Sequence, residues 1–217
     1  MFSFLRRGDV ERTNSADNNP VMYEGGASSV LFHPRNSKSA MTHTIPPTSA
    51  ENGTSIVQPP FHYHVYQAET FRVQSGIGHF FRGIDAGVWK VLSAEPGAES
   101  TATVGPCTYH RFENASKTED LVVDIQLDPE NYEGEQRFFR NFFGYLNDCK
   151  RANKTPSFFQ LMVILHSADT PLALPLPSHR LGVLVSRLFL IMVAFWGRCI
   201  MGYKSTYPEY YQPRKSI

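Results

Sequence analysis

Residues 61–69, FHYHVYQAE, contain the side chains that decide both the fold and the chemistry of this chain. Alternate side chains of an extended strand share a face, so His62 and His64 are expected to point the same way and to bind one ion together. The residues after His64 are enough for a tight turn. Glu69 would then open the next antiparallel strand beside both imidazoles, and Gly76 would end it.

A fourth donor is predicted in residues 105–114, GPCTYHRFEN, where His110, Phe112 and Asn114 share one face of a second strand. Three imidazoles and one carboxylate suit iron, manganese, nickel, copper or zinc, and they leave one or two coordination positions open. The sequence therefore predicts one divalent transition metal per chain, with the ligands His62, His64, Glu69 and His110. The alternative is that these histidines merely stack on the surface of a strand.

The inward faces of the same strands supply the candidate substrate contacts. Phe71 and Val73 follow Glu69 on its face, and Phe112 and Asn114 follow His110. We expect these four side chains to bind an apolar substrate next to the metal.

Residues 20–129 consist of short strand-like runs separated by frequent turn signals, such as Asn52-Gly53 and Pro96-Gly97. Closely spaced turns with β-branched and aromatic residues between them are typical of antiparallel sandwiches and barrels. Aromatic residues make up 13% of the chain, which favours a barrel or pocket lined by rings.

The spacing of the proposed ligands resembles that of the cupin superfamily. His62-x-His64, four residues, Glu69, six residues and Gly76 is similar to the first cupin motif, and His110-x3-Asn114 is similar to the core of the second. The resemblance implies an all-β barrel of the jelly-roll, double-stranded β-helix type over residues 20–129, with a metal in its mouth. The chain departs from these motifs at Ile56, Gly105 and Cys107, which affects turn geometry more than ligation.

Residues 130–217 are predicted to form a helical C-terminal extension. The apolar spacing indicates a helix of about four or five turns that begins near Glu133, and a second helix capped by Thr155. A third helix is predicted from Ser178 to Gly202.

The third predicted helix has an apolar middle that is interrupted by charge. Only ten residues separate Arg187 from Arg198, which disfavours a full membrane crossing. Two alternatives remain: a buried helix packed on the barrel or on the partner of a homodimer, or a helix of residues 178–203 that lies in a membrane interface. The stretch from Ser178 carries a local charge of +5, although the −6 of residues 113–148 could neutralise it within the fold.

Composition excludes several classes of protein and predicts a location. The net charge of +1 and the lack of a basic motif argue against nucleic-acid binding. The three cysteines are far apart and have no CxxC spacing, so no disulfide framework is expected. Residues 1–19 are polar, have no apolar signal region and are predicted to be a disordered arm. We therefore expect a cytoplasmic protein that is either free or associated with a membrane.

The C-terminal segments add a narrower resemblance. Residues 131–143, 159–175 and 207–211 are similar to fungal single-cupin proteins with helical C-termini. Some of those proteins accompany polyketide synthases and are described as cupin-domain oxidoreductases, including ones linked to salicylaldehyde-type products such as sordarial and trichoxide. The resemblance implies an oxidoreductase of fungal polyketide biosynthesis that acts on a small hydrophobic substrate.

The predicted metal centre is compatible with three functions. The first is a metal-dependent oxidoreductase that acts on an apolar, oxygenated intermediate. The second is a redox-silent Lewis-acid isomerase, cyclase or dehydratase, and the third is a cupin that binds a ligand without converting it.

Overall fold

The computed structural model describes residues 10–51, 53–84 and 87–213 of the 217-residue chain, and these residues contain nine β-strands and three α-helices. The strands are β1 (Val21–Tyr23), β2 (Ser28–Phe32), β3 (Met41–Ile45), β4 (Ala68–Ser75), β5 (Ile77–Arg82), β6 (Val88–Ser93), β7 (Thr101–Val104), β8 (His110–Asn114) and β9 (Leu121–Asp128). The helices are α1 (Tyr132–Arg151), α2 (Phe158–His166) and α3 (His179–Cys199).

The strands form two antiparallel sheets, which is the predicted all-β cupin barrel. The larger sheet has the order β1-β2-β3-β9-β4-β7, and the smaller has the order β6-β5-β8. Burial alternates along β4, β8 and β9, so one face of each strand lines the interior. Phe71 of the larger sheet packs against Phe80 and Phe112 of the smaller one, with ring centroids 5.1 and 5.2 Å apart.

The helical extension is also present, with boundaries close to those expected. Asn131 caps α1 by accepting a hydrogen bond from the Gly134 amide, and the helix reaches Arg151. Helix α2 starts at Phe158 rather than near Thr155, because Ser157 has an extended backbone and donates its amide to the Tyr145 hydroxyl.

Helix α3 lies largely on the surface. The side chain of Ser178 caps it, as predicted. By length and composition alone it could cross a membrane. Within the folded chain, 28% of its most apolar 18-residue stretch is buried. One side of α3 is buried against the domain and the other is exposed in the single chain, so both alternatives, a helix packed on the barrel or a partner and a helix in a membrane interface, remain predictions.

Residues 10–19 are ordered, which corrects the prediction of a disordered arm for this part of residues 1–19. The amide and hydroxyl of Thr13 donate to the Asp148 carboxylate at 2.8 and 2.6 Å, and the Ser15 amide donates to the Glu209 carbonyl at 2.8 Å. The Arg140 guanidinium donates to three carbonyls of the same segment. The polar composition of the segment thus matches polar partners on α1 and near the C-terminus. Residues 1–9 lie outside the described residues.

Candidate metal centre

The segment that carries His62 and His64 is held between the barrel and the helical extension. It is not part of a regular strand, in contrast to the sequence-based expectation. His62 and His110 exchange two backbone hydrogen bonds of 3.1 and 3.0 Å, and the Tyr63 amide donates to the carbonyl of Pro171, after α2. The extension therefore replaces a neighbouring strand on one side of the ligand segment.

The four predicted ligands converge on one point. One donor atom each from His62, His64, Glu69 and His110 lies within 4.8 Å of all the others. Oε2 of Glu69 is 2.7 Å from Nε2 of His110, 3.1 Å from Nε2 of His64 and 3.9 Å from Nε2 of His62. Atoms bound about 2.1 Å from one metal lie roughly 3.0–3.5 Å apart. The three separations from Glu69 lie within 0.4 Å of this range, so small shifts of the side chains would let the four groups hold one metal ion.

Backbone carbonyls fix the tautomers of two of these histidines. Nδ1 of His62 donates to the Pro60 carbonyl at 2.9 Å, and Nδ1 of His110 donates to the Thr108 carbonyl at 2.7 Å. A carbonyl oxygen can only accept, so each Nδ1 carries the hydrogen. In the neutral ring, the Nε2 lone pair then faces the centre of the cluster, as in metal-binding histidines.

Thr170 fixes the third histidine in the same way. Its hydroxyl lies 3.2 Å from Nδ1 of His64 and 3.0 Å from the Ala168 carbonyl, to which it donates. Its oxygen is thus left to accept the Nδ1 hydrogen of His64. Nε2 of His64 and Nε2 of His110 also lie within hydrogen-bond distance of Oε2 of Glu69, so either a proton on each nitrogen or one shared cation must lie between these groups. The donor set present in the chain therefore fits a bound metal.

Burial and the mutual proximity of these side chains favour the forms that bind a cation. Burial lowers the pKa of His62 to about 3, and the neighbouring His110 and His64 add to this effect. Burial alone would raise the pKa of Glu69, but His64 and the hydrogen bond from His110 hold it well below its usual range. At neutral pH, His62 is therefore neutral and Glu69 is ionised, as metal ligation requires.

Two cavities reach two of the ligands, His62 and His64, from the side of α1 and α2. The larger, of about 230 Å³, is lined by His64 and Thr170 together with Tyr66, Glu135 and Phe138, among others. The smaller, of about 40 Å³, has walls that include both His62 and His64 and four phenyl rings of α1, those of Phe138, Phe139, Phe142 and Phe143. An apolar molecule in these cavities would contact the aromatic rings of α1 together with His64 or, in the smaller cavity, with both His62 and His64.

The predicted substrate contacts lie elsewhere. Phe71, Val73 and Phe112 are buried in the barrel core and are not among the residues that line the cavities described here. Asn114 has a structural role instead: its amide group donates to the carbonyls of Ile45 and Glu119, and its side-chain oxygen accepts from the Ser116 amide. Alternation along the strands correctly predicted that these side chains face the interior of the barrel. It does not predict how far the cavities extend into that interior.

Cys107 occupies the position where the second cupin motif has glycine. Its φ of 57° lies in the left-handed region that favours glycine. This conformation agrees with the expectation that the departure at Cys107 affects turn geometry more than ligation.

Comparison with known proteins identifies the family. No family model matches the chain. The probable oxidoreductase virH of Hypocrea virens is 37% identical over 176 residues, which span 79% of this chain and 75% of that protein. Oxidoreductase iacF of Pestalotiopsis fici is 35% identical over 128 residues, which span 55% of this chain and 58% of that protein.

A solved structure, the cupin domain of Schizosaccharomyces pombe Cnp3, is 13% identical and has a TM-score of 0.37, over 54% of this chain and 70% of that one. A structural similarity this low carries no argument, so the fold rests on the order and pairing of the strands. The chain belongs to the family of fungal oxidoreductases that includes virH, and it has the fold of a cupin barrel with a helical C-terminal extension.

Proposed function

We propose that this protein is a metal-dependent oxidoreductase that acts on an apolar, oxygenated intermediate of fungal polyketide biosynthesis. One observation carries the proposal: three imidazoles with fixed tautomers and one ionised carboxylate face a single buried point, beside an aromatic cavity. The membership of an oxidoreductase family supports redox chemistry at that point.

The residues of the chain have distinct tasks in this proposal. The Nδ1 hydrogen bonds of His62, His64 and His110 hold the rings in place, and Glu69 supplies one negative charge toward the two of a divalent cation. When bound, the metal would act as a Lewis acid on a phenol, enol or carbonyl oxygen, or would activate dioxygen if it is iron or copper.

The cavity walls support a small aromatic substrate. Phe138 and Phe139 line both cavities, so a ring held there would be shielded from water while its oxygen points toward His64. Glu135 lines the larger cavity, and burial raises the pKa of its carboxyl. Gln67 and the Asn131 amide both donate to Oε1 of Glu135 at 2.8 Å and hold the side chain in position. We assign Glu135 to hydrogen bonding with the oxygenated part of the substrate.

The experiment is a turnover assay with salicyl alcohols, salicylaldehydes and related hydroxylated aromatics. Protein reconstituted with iron, copper, manganese, nickel or zinc is assayed with and without dioxygen or another oxidant, and products are identified by mass. We expect a change in oxidation state that requires the oxidant and disappears in His62→Ala. His79→Ala, which changes a partly exposed histidine of β5, should retain activity and serves as the matched control.

Two outcomes would overturn the proposal. Isomerisation, cyclisation or dehydration at equal rates without any oxidant would establish the redox-silent enzyme. Saturable binding of these compounds without conversion under any of the metals would establish a ligand-binding cupin.

A further inference from the structure

Helix α3 presents a continuous apolar face to solvent. Its residues are spaced by three or four positions, so they lie on one side of the helix. Met192 and Phe195 are 63% and 64% exposed. The apolar face of α3 consists of Leu181, Leu184, Leu188, Ile191, Met192 and Phe195.

The face extends beyond these six residues. Trp196 is also exposed beside it, and Phe158 of α2 is exposed next to Phe189, with ring centroids 6.1 Å apart. Isolated apolar residues on a surface are ordinary, whereas a contiguous patch of this kind marks a site of association.

The opposite side of α3 is narrow and anchored to the rest of the protein. It consists of Gly182, Ser186, Leu190, Ala194 and Gly197. At one end Gly182 lies so close to the Tyr109 hydroxyl that a Cβ would be 2.4 Å from it, and at the other end Gly197 packs against Phe159 and Val163 of α2. The helix, about 31 Å long, is therefore held lengthwise along the surface of the domain. A bilayer crossing would require these contacts to break.

Positive charges follow one edge of the apolar face. Arg180, Arg187 and Arg198 are separated by 7 and 11 residues, which correspond to about two and three helical turns, so they align along α3. The exposed Lys204 follows the helix. No Asp or Glu occurs in residues 170–208. Such a helix, apolar on one face with basic residues and a tryptophan at its border, matches the surface of an anionic bilayer.

We propose that the apolar face of α3 docks the protein on an anionic lipid bilayer, with the helix parallel to the membrane plane and the arginines among the headgroups. A second copy of the chain fits this face less well. Two such helices would bring two sets of arginines together, and neither α3 carries a carboxylate to compensate them.

The docking surface borders the larger cavity. Arg187 of α3 donates to the Tyr66 hydroxyl at 2.5 Å, and Tyr66 lines the cavity that reaches His64. A docked protein would therefore hold this cavity wall next to the headgroups, where an apolar compound dissolved in lipid is accessible. The docking itself does not depend on the metal or on the reaction.

The test is flotation of the full-length protein with vesicles of phosphatidylcholine alone or mixed with phosphatidylserine. We expect flotation with the mixed vesicles and much less with the neutral ones. Leu188→Glu/Met192→Glu should weaken partitioning about 100-fold, because two apolar side chains leave the bilayer. The matched control is Val88→Glu/Val91→Glu on the exposed side of β6, which should float like the unchanged protein. Arg180→Ala/Arg198→Ala should reduce flotation only with the mixed vesicles.

Three results would overturn the proposal. The protein could fail to float with either kind of vesicle, or the two double glutamate variants could behave alike. The third is a homodimer in solution that Leu188→Glu/Met192→Glu converts to a folded monomer, since a second copy would then cover the face. Circular dichroism and thermal unfolding of each variant confirm that it is folded.

Discussion

The hydroxyl of Thr170 lies 3.2 Å from Nδ1 of His64, so a residue beyond α2 positions a predicted metal ligand of the barrel. Because this hydroxyl donates to the Ala168 carbonyl, it can only accept from His64. The helical extension is thus part of the candidate site, in addition to covering the barrel.

Replacement of Thr170 tests this relationship. Thr170→Val keeps the shape of the side chain but leaves the Nδ1 hydrogen of His64 without an acceptor, so metal affinity should fall about 10- to 100-fold. Thr170→Ser retains the hydroxyl and should keep an affinity near that of the unchanged protein. Competition with a chelator measures both. Equal affinities of the valine and serine variants would show that the hydroxyl does not position His64.

The buried His43 should make the fold sensitive to acid. It is 2% exposed and packs edge-on against Phe139 and Phe143. Its ring lies near the backbone of Val57, yet neither ring nitrogen has a hydrogen-bond partner of normal geometry among the described residues. Burial lowers the pKa of His43 to about 4, from 6.5 in an exposed histidine.

The sign of the pH effect follows from this pKa. Between pH 6.5 and 4 the unfolded chain binds a proton at His43 that the folded chain does not, so the free energy of unfolding falls as the pH falls through this window. His43 contributes about 3 kcal/mol to this loss. His43→Leu should therefore lose less stability toward pH 4 and should be at least as stable at neutral pH, because it buries no unpartnered imidazole.

Denaturant titrations at several pH values measure this prediction. The matched control is His79→Leu, which makes the same substitution at a partly exposed position of β5. If His43→Leu and the unchanged protein lose stability in parallel toward pH 4, the proposed role of His43 is wrong.

Gly144 of α1 is expected to resist the usual stabilising change to alanine. Alanine is favoured over glycine in a helix by about 1 kcal/mol. A Cβ at this position would lie 2.6 Å from the ring of Tyr210, which is fully buried and whose hydroxyl donates to the Asp148 carboxylate at 2.6 Å. We expect Gly144→Ala to lower the free energy of unfolding by about 1–3 kcal/mol. A rise in the thermal unfolding temperature would contradict this expectation, because it would show that the C-terminal segment with Tyr210 moves to make room for the Cβ.

The local part of the fold and site was predictable from the sequence. The spacing of His62, His64 and Glu69 within one short segment, together with His110 on a predicted strand, identified the four side chains that converge. The frequent turn residues indicated the antiparallel barrel, and apolar spacing indicated the helices. Each of these signals depends on residues that are close in sequence or on a strongly periodic pattern.

The long-range relationships were not predictable in this way. Thr170 is 106 residues from the histidine that it positions, and no spacing marks it. Alternation placed Asn114 on an inward face, but only the three-dimensional contacts show that its amide is occupied by Ile45 and Glu119. The polar residues 10–19 lack an apolar period, and their order depends on partners such as Asp148 that lie far along the chain.

The central claim, that four side chains hold one transition metal, is tested most directly by elemental analysis of freshly purified protein. We expect close to one equivalent of a transition metal per chain in the unchanged protein and in His79→Ala. Glu69→Gln and His110→Ala should each lose most of it while remaining folded. A metal content near zero in the unchanged protein after growth and reconstitution with all five metals, or full retention in both ligand variants, would contradict the account.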